Sequence, residues 1–245
     1  MDLKLKGKKV LVMGSSTGIG KSIAQVFINE GAIVALCSRD INKLEKTANE
    51  LGTKHFFSCD LSKKGQGTFA LTSAIKQLGG IDILINNTGG PKKGSFSEVD
   101  DNQWQEDFQS LWMSVVESLK VALPEMKKNN FGRIILITSL AAKEPLPGLT
   151  TSNGLRAGLS GLCKSIANEY APYGITLNLL LAGYTNTDRL KELNLADEKV
   201  KQLVPAGRLG DPSELANLAV FLSSPLSGYT TGQSIAVDGG AIKGH

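Results

Sequence analysis

Histidine is nearly absent from this 245-residue chain: only His55 and His245 occur, one in the lead-in to a strand and one at the C-terminus. A serine/histidine hydrolase would therefore have no base. Cysteine is scarce too. Cys37, Cys59 and Cys163 form no CxxC pair and have no metal-ligand spacing. No metal site is expected, and an odd count without a secretory signal fits a reduced, cytoplasmic protein in which the three are small apolar core residues. No apolar h-region follows Met1-Asp-Leu-Lys-Leu-Lys. The one long uncharged stretch, Leu215 to Val237, is broken by Pro225, Gly228 and Gly232, so it reads as helix, loop and buried strand rather than a membrane span. The net charge is only +4, with Lys and Arg scattered among acids. No basic stripe interleaved with aromatics is present, which argues against nucleic acid as a partner. The basic tail, Lys243 and His245, reads as a solvated end. Paired carboxylates, internal repeats, low-complexity linkers and composition shifts are also missing, so residues 1–245 are expected to form a single domain.

What is present is a rhythm. Short β-branched or apolar runs at Lys9–Met13, Ile33–Ser38, Lys54–Ser58, Asp82–Asn86, Arg133–Ser139, Thr176–Leu181 and Ser234–Val237 alternate with helix-like segments. The helices are expected at Gly18–Glu30, Ile41–Leu51, Gly65–Leu78, Trp104–Asn129, Ser152–Tyr170 and Pro212–Leu222. Asp211-Pro212 marks the start of the last one, Asp as N-cap and Pro at the first helical position. Near-continuous hydrophobicity suits strands buried on both faces. The rhythm predicts an α/β fold, a Rossmann-like doubly wound parallel sheet of about seven strands with helices on both faces. The irregular segment 183–209 follows a strand end, where ligands bind in such sheets, and is the candidate substrate lid.

The first strand runs directly into Gly14-Ser-Ser-Thr-Gly-Ile-Gly20, and a helix follows. Gly14 permits a tight turn, Gly18 lets backbone approach a pyrophosphate, and Gly20 allows close helix–strand packing. Ser16, Thr17 and Ile19 complete the loop, and the amides of the helix N-terminus face the phosphates. Further candidate cofactor contacts follow later strands: Cys59-Asp60-Leu61, Asn87-Thr88-Gly89, and Gly183 with Thr185 and Thr187. Arg39 lies just past the second strand, where the chain passes the adenosine ribose. A guanidinium there favours a 2′-phosphate, an acid a free 2′-hydroxyl. Ser38 adds a hydroxyl. NADP(H) is expected in preference to NAD(H).

These residues resemble those of the short-chain dehydrogenase/reductase family, most of all its 3-oxoacyl-carrier-protein-reductase-like branch. The resemblance covers essentially the whole chain: the glycine loop, Cys59-Asp60-Leu61 on the adenine side, Asn86-Asn87-Thr88-Gly89 in place of NNAG, Ser139, Arg208-Leu-Gly-Asp-Pro-Ser-Glu214 and Val237-Asp-Gly-Gly240. Met13, Thr88 and Ala182 depart from the family's usual Thr, Ala and Pro. The family implies a carbonyl or hydroxyl substrate and a proton-donating Tyr. It also implies a Lys four residues on that lowers the phenol's pKa and holds ribose, a Ser that positions the carbonyl, and a helix Asn in a proton relay. Here Ser139 is retained, but Ser152 stands at the Tyr position, Arg156 at the Lys position and Leu111 at the Asn position. Ala157-Gly158-Leu159 fixes that register. Arg156 stays charged and can still bind ribose hydroxyls. Tyr184 is a candidate replacement phenol, and Lys92 and Lys93 are candidates for the substrate mouth.

Two expectations follow: an NADP(H)-dependent oxidoreductase with non-standard proton donation, or a catalytically inactive dinucleotide-binding sensor or regulatory partner. The resemblance also implies a homo-oligomer, a tetramer whose interfaces pair the helices at Trp104–Asn129 and Ser152–Tyr170.

Overall fold

The computed structural model describes residues 1–191 and 196–244. Residues 192–195, inside the expected lid, and His245 of the basic tail lie outside the described residues. Seven strands, β1 (Lys9–Met13), β2 (Ile33–Ser38), β3 (Phe56–Ser58), β4 (Ile83–Asn87), β5 (Gly132–Ser139), β6 (Ile175–Ala182) and β7 (Ser234–Val237), make one sheet in the order β3-β2-β1-β4-β5-β6-β7. Every neighbouring pair is parallel. The helices among the described residues are α1 (Gly18–Asn29), α2 (Ile41–Leu51), α3 (Gln66–Leu78), α4 (Asp101–Phe108), α5 (Ser114–Lys128), α6 (Thr150–Tyr170), α7 (Asp188–Lys191), α8 (Asp197–Leu203) and α9 (Pro212–Leu222). None is long and apolar enough to cross a membrane.

Alternation along β1 shows how the sheet is buried on both sides. Val10 and Val12 pack with Ile23, Phe27, Leu44 and Leu215, from α1, α2 and α9. Leu11 and Met13 pack with Ala70, Leu71, Leu119 and Cys163, from α3, α5 and α6. Two apolar layers therefore need apolar residues at every β1 position, which explains the continuous run. Phe27 is fully buried, a burial that stabilises the fold by about 1.5–3 kcal/mol. The 215–237 stretch resolves into α9, a 3₁₀ turn at Pro225–Ser227 and β7.

Several bounds shift by one or two residues, α6 beginning at Thr150 rather than Ser152, and the expected helix at Trp104–Asn129 differs more. The third strand covers only Phe56–Ser58, although the His55 carbonyl still accepts from Leu36 N–H at 2.9 Å. The expected helix at Trp104–Asn129 begins earlier, at Asp101, because the Asp100 carboxylate caps it by accepting from Gln103 N–H at 2.8 Å. It is also interrupted by a π turn at Gln109–Met113. An inserted π turn leaves no Gly or Pro signature and barely disturbs the helical period, so pattern alone does not reveal it.

The strand order reverses direction between β1 and β4. Side connections run outward on either side of that gap, leaving a crevice at the carboxyl ends of both strands. Gly14, just past β1, and Asn87, the last residue of β4, meet across it: Asn87 Nδ2 donates to the Gly14 carbonyl at 3.2 Å.

Candidate active site

A cavity of about 820 Å³ opens at this crevice. Its floor is the glycine loop. Gly14 has φ +60°, and a Cβ there would lie 2.5 Å from the Asn87 carbonyl oxygen. A Cβ on Gly20 would lie 2.2 Å from the Gly14 carbonyl oxygen. Side chains at either position would push α1 away from the sheet. The Thr17 side chain makes no capping bond, so the amides opening α1 keep their capacity to bind an anion. Thr47 Oγ1, from α2, donates to the Ser16 carbonyl at 2.8 Å and ties the loop down.

Gly14, Ser16, Thr17, Gly18, Ile19, Ser38, Arg39, Cys59, Asp60, Leu61, Asn87, Thr88, Gly89, Arg156, Gly183, Thr185 and Thr187 all line the cavity; Gly20 is packed beneath it. At the end of the cavity past β2, Arg39 is exposed and pairs with no carboxylate among the described residues. Asp40 is engaged instead at the start of α2, accepting from Asn42 and Lys43 N–H at 3.1 Å each. Lys43 lines the same end. Sequence reasoning missed it; its place in the first turn of α2, close behind Arg39, was the available signal. Beneath lies a thiol pair. The Cys37 hydrogen bond holds the Cys59 thiol below its ordinary value and pushes Cys37 well above its own.

At the other end are Ser139, Ser152, Arg156 and Tyr184. Ser139 ends β5, and its hydroxyl accepts from Ala141 N–H at 3.3 Å. Ser152 and Arg156, one turn apart on α6, are 3% and 6% exposed. Arg156 Nε donates to Ser152 Oγ at 3.2 Å, and Nη1 to the Ile137 carbonyl at 3.4 Å. A buried guanidinium needs such acceptors. Because both serine oxygens accept bonds from the protein, each retains its own O–H for a third party. Leu111 is buried in the π turn and is not in the cavity wall, whereas Ser110 beside it is. Lys92 and Lys93, both exposed, line the rim, and Tyr184 is half-buried. The wall also holds Gln103, Glu106 and Asp107 of α4, which sequence reasoning did not select. Among the described residues, no cluster of His, Cys, Asp or Glu is suited to a metal ion.

The family model described as Enoyl-(Acyl carrier protein) reductase matches residues 14–241. The 3-oxoacyl-(acyl-carrier-protein) reductase FabG of Vibrio harveyi is 34% identical over 251 residues, 97% of this chain and 98% of that protein. Among solved structures, YwfH, an NADPH dependent reductase involved in bacilysin biosynthesis, is similar with a TM-score of 0.94 at 30% identity, over 98% of this chain and 100% of that one. A short chain oxidoreductase from Pseudomonas aeruginosa PAO1, solved with NADPH and containing an atypical catalytic center, gives a TM-score of 0.89 at 31% identity, over 98% and 100%. With the sequence matched from the glycine loop to beyond the last strand and the whole sheet reproduced, the chain belongs to the short-chain dehydrogenase/reductase family.

Proposed function

We propose that this protein is an NADP(H)-dependent oxidoreductase acting on a carbonyl or hydroxyl group of a small molecule, with Ser152 and Arg156 in place of the family's phenol and ammonium beside the retained Ser139. The observation that carries the reading is the Arg156–Ser152 bond in the wall of the cavity that holds the glycine loop. The NADPH of the similar reductases supports the cofactor assignment. The residues fit it: a cradle that no Cβ could share, an uncapped α1, and Arg39 with Lys43 beside the adenosine end. Arg39 and Lys43 would hold the 2′-phosphate, Cys59, Asp60 and Leu61 would flank the adenine, and Arg156 would reach the nicotinamide ribose. The bound cofactor would supply or accept the hydride.

The protein's part is to steady the oxygen. Ser139 and Ser152 each have an O–H to offer, and the Arg156 charge stands directly behind Ser152. As negative charge grows on the carbonyl oxygen, these two donors stabilise it, a contribution of about 10²–10³ in rate for one such donor. Ser152 passes its proton to that oxygen, and Arg156 balances the serine oxygen left behind. An aliphatic hydroxyl is a far weaker acid than a phenol, which titrates near 10, so the step is slower than with a tyrosine. The described parts of the segment 183–209 serve as the lid, with Tyr184, Thr185 and Thr187 lining the cavity, and the protein is a homotetramer.

Single-turnover NADPH oxidation across a carbonyl panel tests the reading, run beside direct cofactor titration. Ser152→Ala should slow turnover about 10²-fold with cofactor affinity kept, and Tyr184→Phe should leave the rate within a few-fold. Ser152→Tyr with Arg156→Lys should raise it by at most about 10²–10⁴. A native rate that survives Ser152→Ala and is lost with Tyr184→Phe would hand the proton to the lid phenol. Cofactor binding with no turnover in any variant would leave a sensor.

A further inference from the structure

The chemistry above makes no use of Asp107, a carboxylate in the wall of the same cavity. It lies in the last turn of α4 and is 7% exposed. Its Oδ2 accepts from the Thr151 hydroxyl at 2.7 Å, and Thr151 immediately precedes Ser152. Among the described residues no cation pairs with it. Its second oxygen has no partner there either, and is not sealed off from solvent. Ser110 does not serve it, since that hydroxyl donates to the Asp107 backbone carbonyl at 3.3 Å.

Removing a carboxylate from water is costly unless hydrogen bonds replace the lost hydration. One neutral hydroxyl replaces only part of it. Gln103 and Glu106 make the same wall polar, while Ile137, Leu146 and Leu149 supply the apolar contacts nearby. A plain alkyl chain laid against Asp107 would strip its remaining water and return nothing. A substrate group that donates a hydrogen bond would complete the coordination. Sites built to bond a substrate hydroxyl reject analogues lacking it far more strongly than apolar pockets reject a misfit of one methylene.

We propose that Asp107 is the specificity-determining residue of this site, accepting a hydrogen bond from a hydroxyl or ammonium group carried close to the reacting carbonyl. The substrates are then hydroxylated or aminated carbonyl compounds rather than simple acyl chains. This rests on the oxidoreductase reading above. The Thr151 bond ties the carboxylate to the turn of α6 that carries Ser152, and Asp107 and Ser152 line one cavity, so the donor group belongs on the same small substrate as the reduced carbonyl.

The test uses six-carbon ketones: 2-hexanone, its counterparts with one hydroxyl at each position near the carbonyl, and the matching amino ketones. Each is assayed with NADPH on the native protein, Asp107→Asn and Asp107→Leu. The native enzyme should favour at least one hydroxylated or aminated ketone over 2-hexanone by about 10–100-fold in kcat/KM, the scale of a hydrogen bond to a charged group. Asp107→Leu should collapse that ratio by raising relative use of 2-hexanone, with NADPH affinity retained. Asp107→Asn should keep a hydroxyl preference and lose an ammonium one, which separates the two donors without changing the residue's size. If the native enzyme turns over ketones with equal kcat/KM for 2-hexanone and all its substituted forms, the proposal is overturned and the oxidoreductase reading stands. The proposal alone is likewise overturned if Asp107→Leu binds NADPH and keeps the native ratio. If no ketone is reduced while NADPH binds, both fall.

Discussion

Arg39 owes its availability to its neighbour. Asp40 would be the natural partner for the guanidinium, but its carboxylate is turned to the opening of α2, where Oδ1 accepts from two amides, and no ion pair with Arg39 forms among the described residues. In the proposed reading the cation serves an external phosphate. A hydrogen bond to a charged group contributes about 1.5–3 kcal/mol, so Arg39→Asp should weaken NADPH binding by about 10–100-fold and reverse the NADPH/NADH order in a fluorescence titration. Equal native affinities for the two cofactors would refute the assignment. Gly20 carries a second expectation at this scale. A methyl group there would meet the Gly14 carbonyl, a backbone atom that cannot rotate away. Gly20→Ala should destabilise the protein by about 1–3 kcal/mol, read as a lower midpoint in urea, and should weaken NADPH binding as the loop shifts. Asp107 shows where residue-level reading stops. Among Asp100, Asp101, Glu106 and Asp107 it looks like one more acid on a solvated face. Its burial depends on Thr151, forty-four residues away, and no local pattern encodes that contact. Lys43 hid for a similar reason, as one of two lysines on α2.

At the scale of elements, α9 is the most fully specified. Asp211 accepts from Ser213 N–H, Glu214 reaches back to Asp211 N–H at 2.8 Å, and Pro212 fills the first turn. The start of the helix was legible as Asp211-Pro212 because caps are local, and the return bond of Glu214 completes a capping box. Arg208 adds two bonds to Glu214, at 2.8 and 2.7 Å, and these, with the Asp211 amide, hold the Glu214 carboxyl down at about 2. A lowered carboxyl contributes stability that is present above its usual value of 4.5 and is lost as pH falls toward 2. Glu214→Gln should therefore flatten the fall of Tm between about pH 4.5 and 2, while a native-like acid profile in that variant would contradict the link. The strands were legible for a related reason: burial on both faces demands unbroken apolar runs. The π turn at Gln109–Met113 was not, since its residues keep the apolar content of a continuous helix.

For the whole molecule, the parallel sheet follows from alternation of strand and helix, and the cavity follows from the order in which its strands lie. The i, i+4 spacing of Ser152 and Arg156 was readable, but their mutual bond and the outward freedom of the serine hydrogen were not, because side-chain direction depends on the Ile137 carbonyl of β5. Assembly belongs to this scale too. Phe108 is 43% exposed on α4 and stacks on Trp112 of the π turn, apolar surface at the helices expected to pair between subunits. Light scattering at micromolar concentration should give the mass of four chains; a monomer would contradict that expectation. Hydride transfer without a tyrosine at position 152 is the central claim. The most direct measurement is a single turnover with NADPH deuterated at the transferring position, followed by mass analysis of the product alcohol. Deuterium on the former carbonyl carbon, formed by the native protein and about 10²-fold more slowly by Ser152→Ala, is the predicted result. Saturating cofactor binding with no deuterium transferred to any carbonyl compound would contradict it.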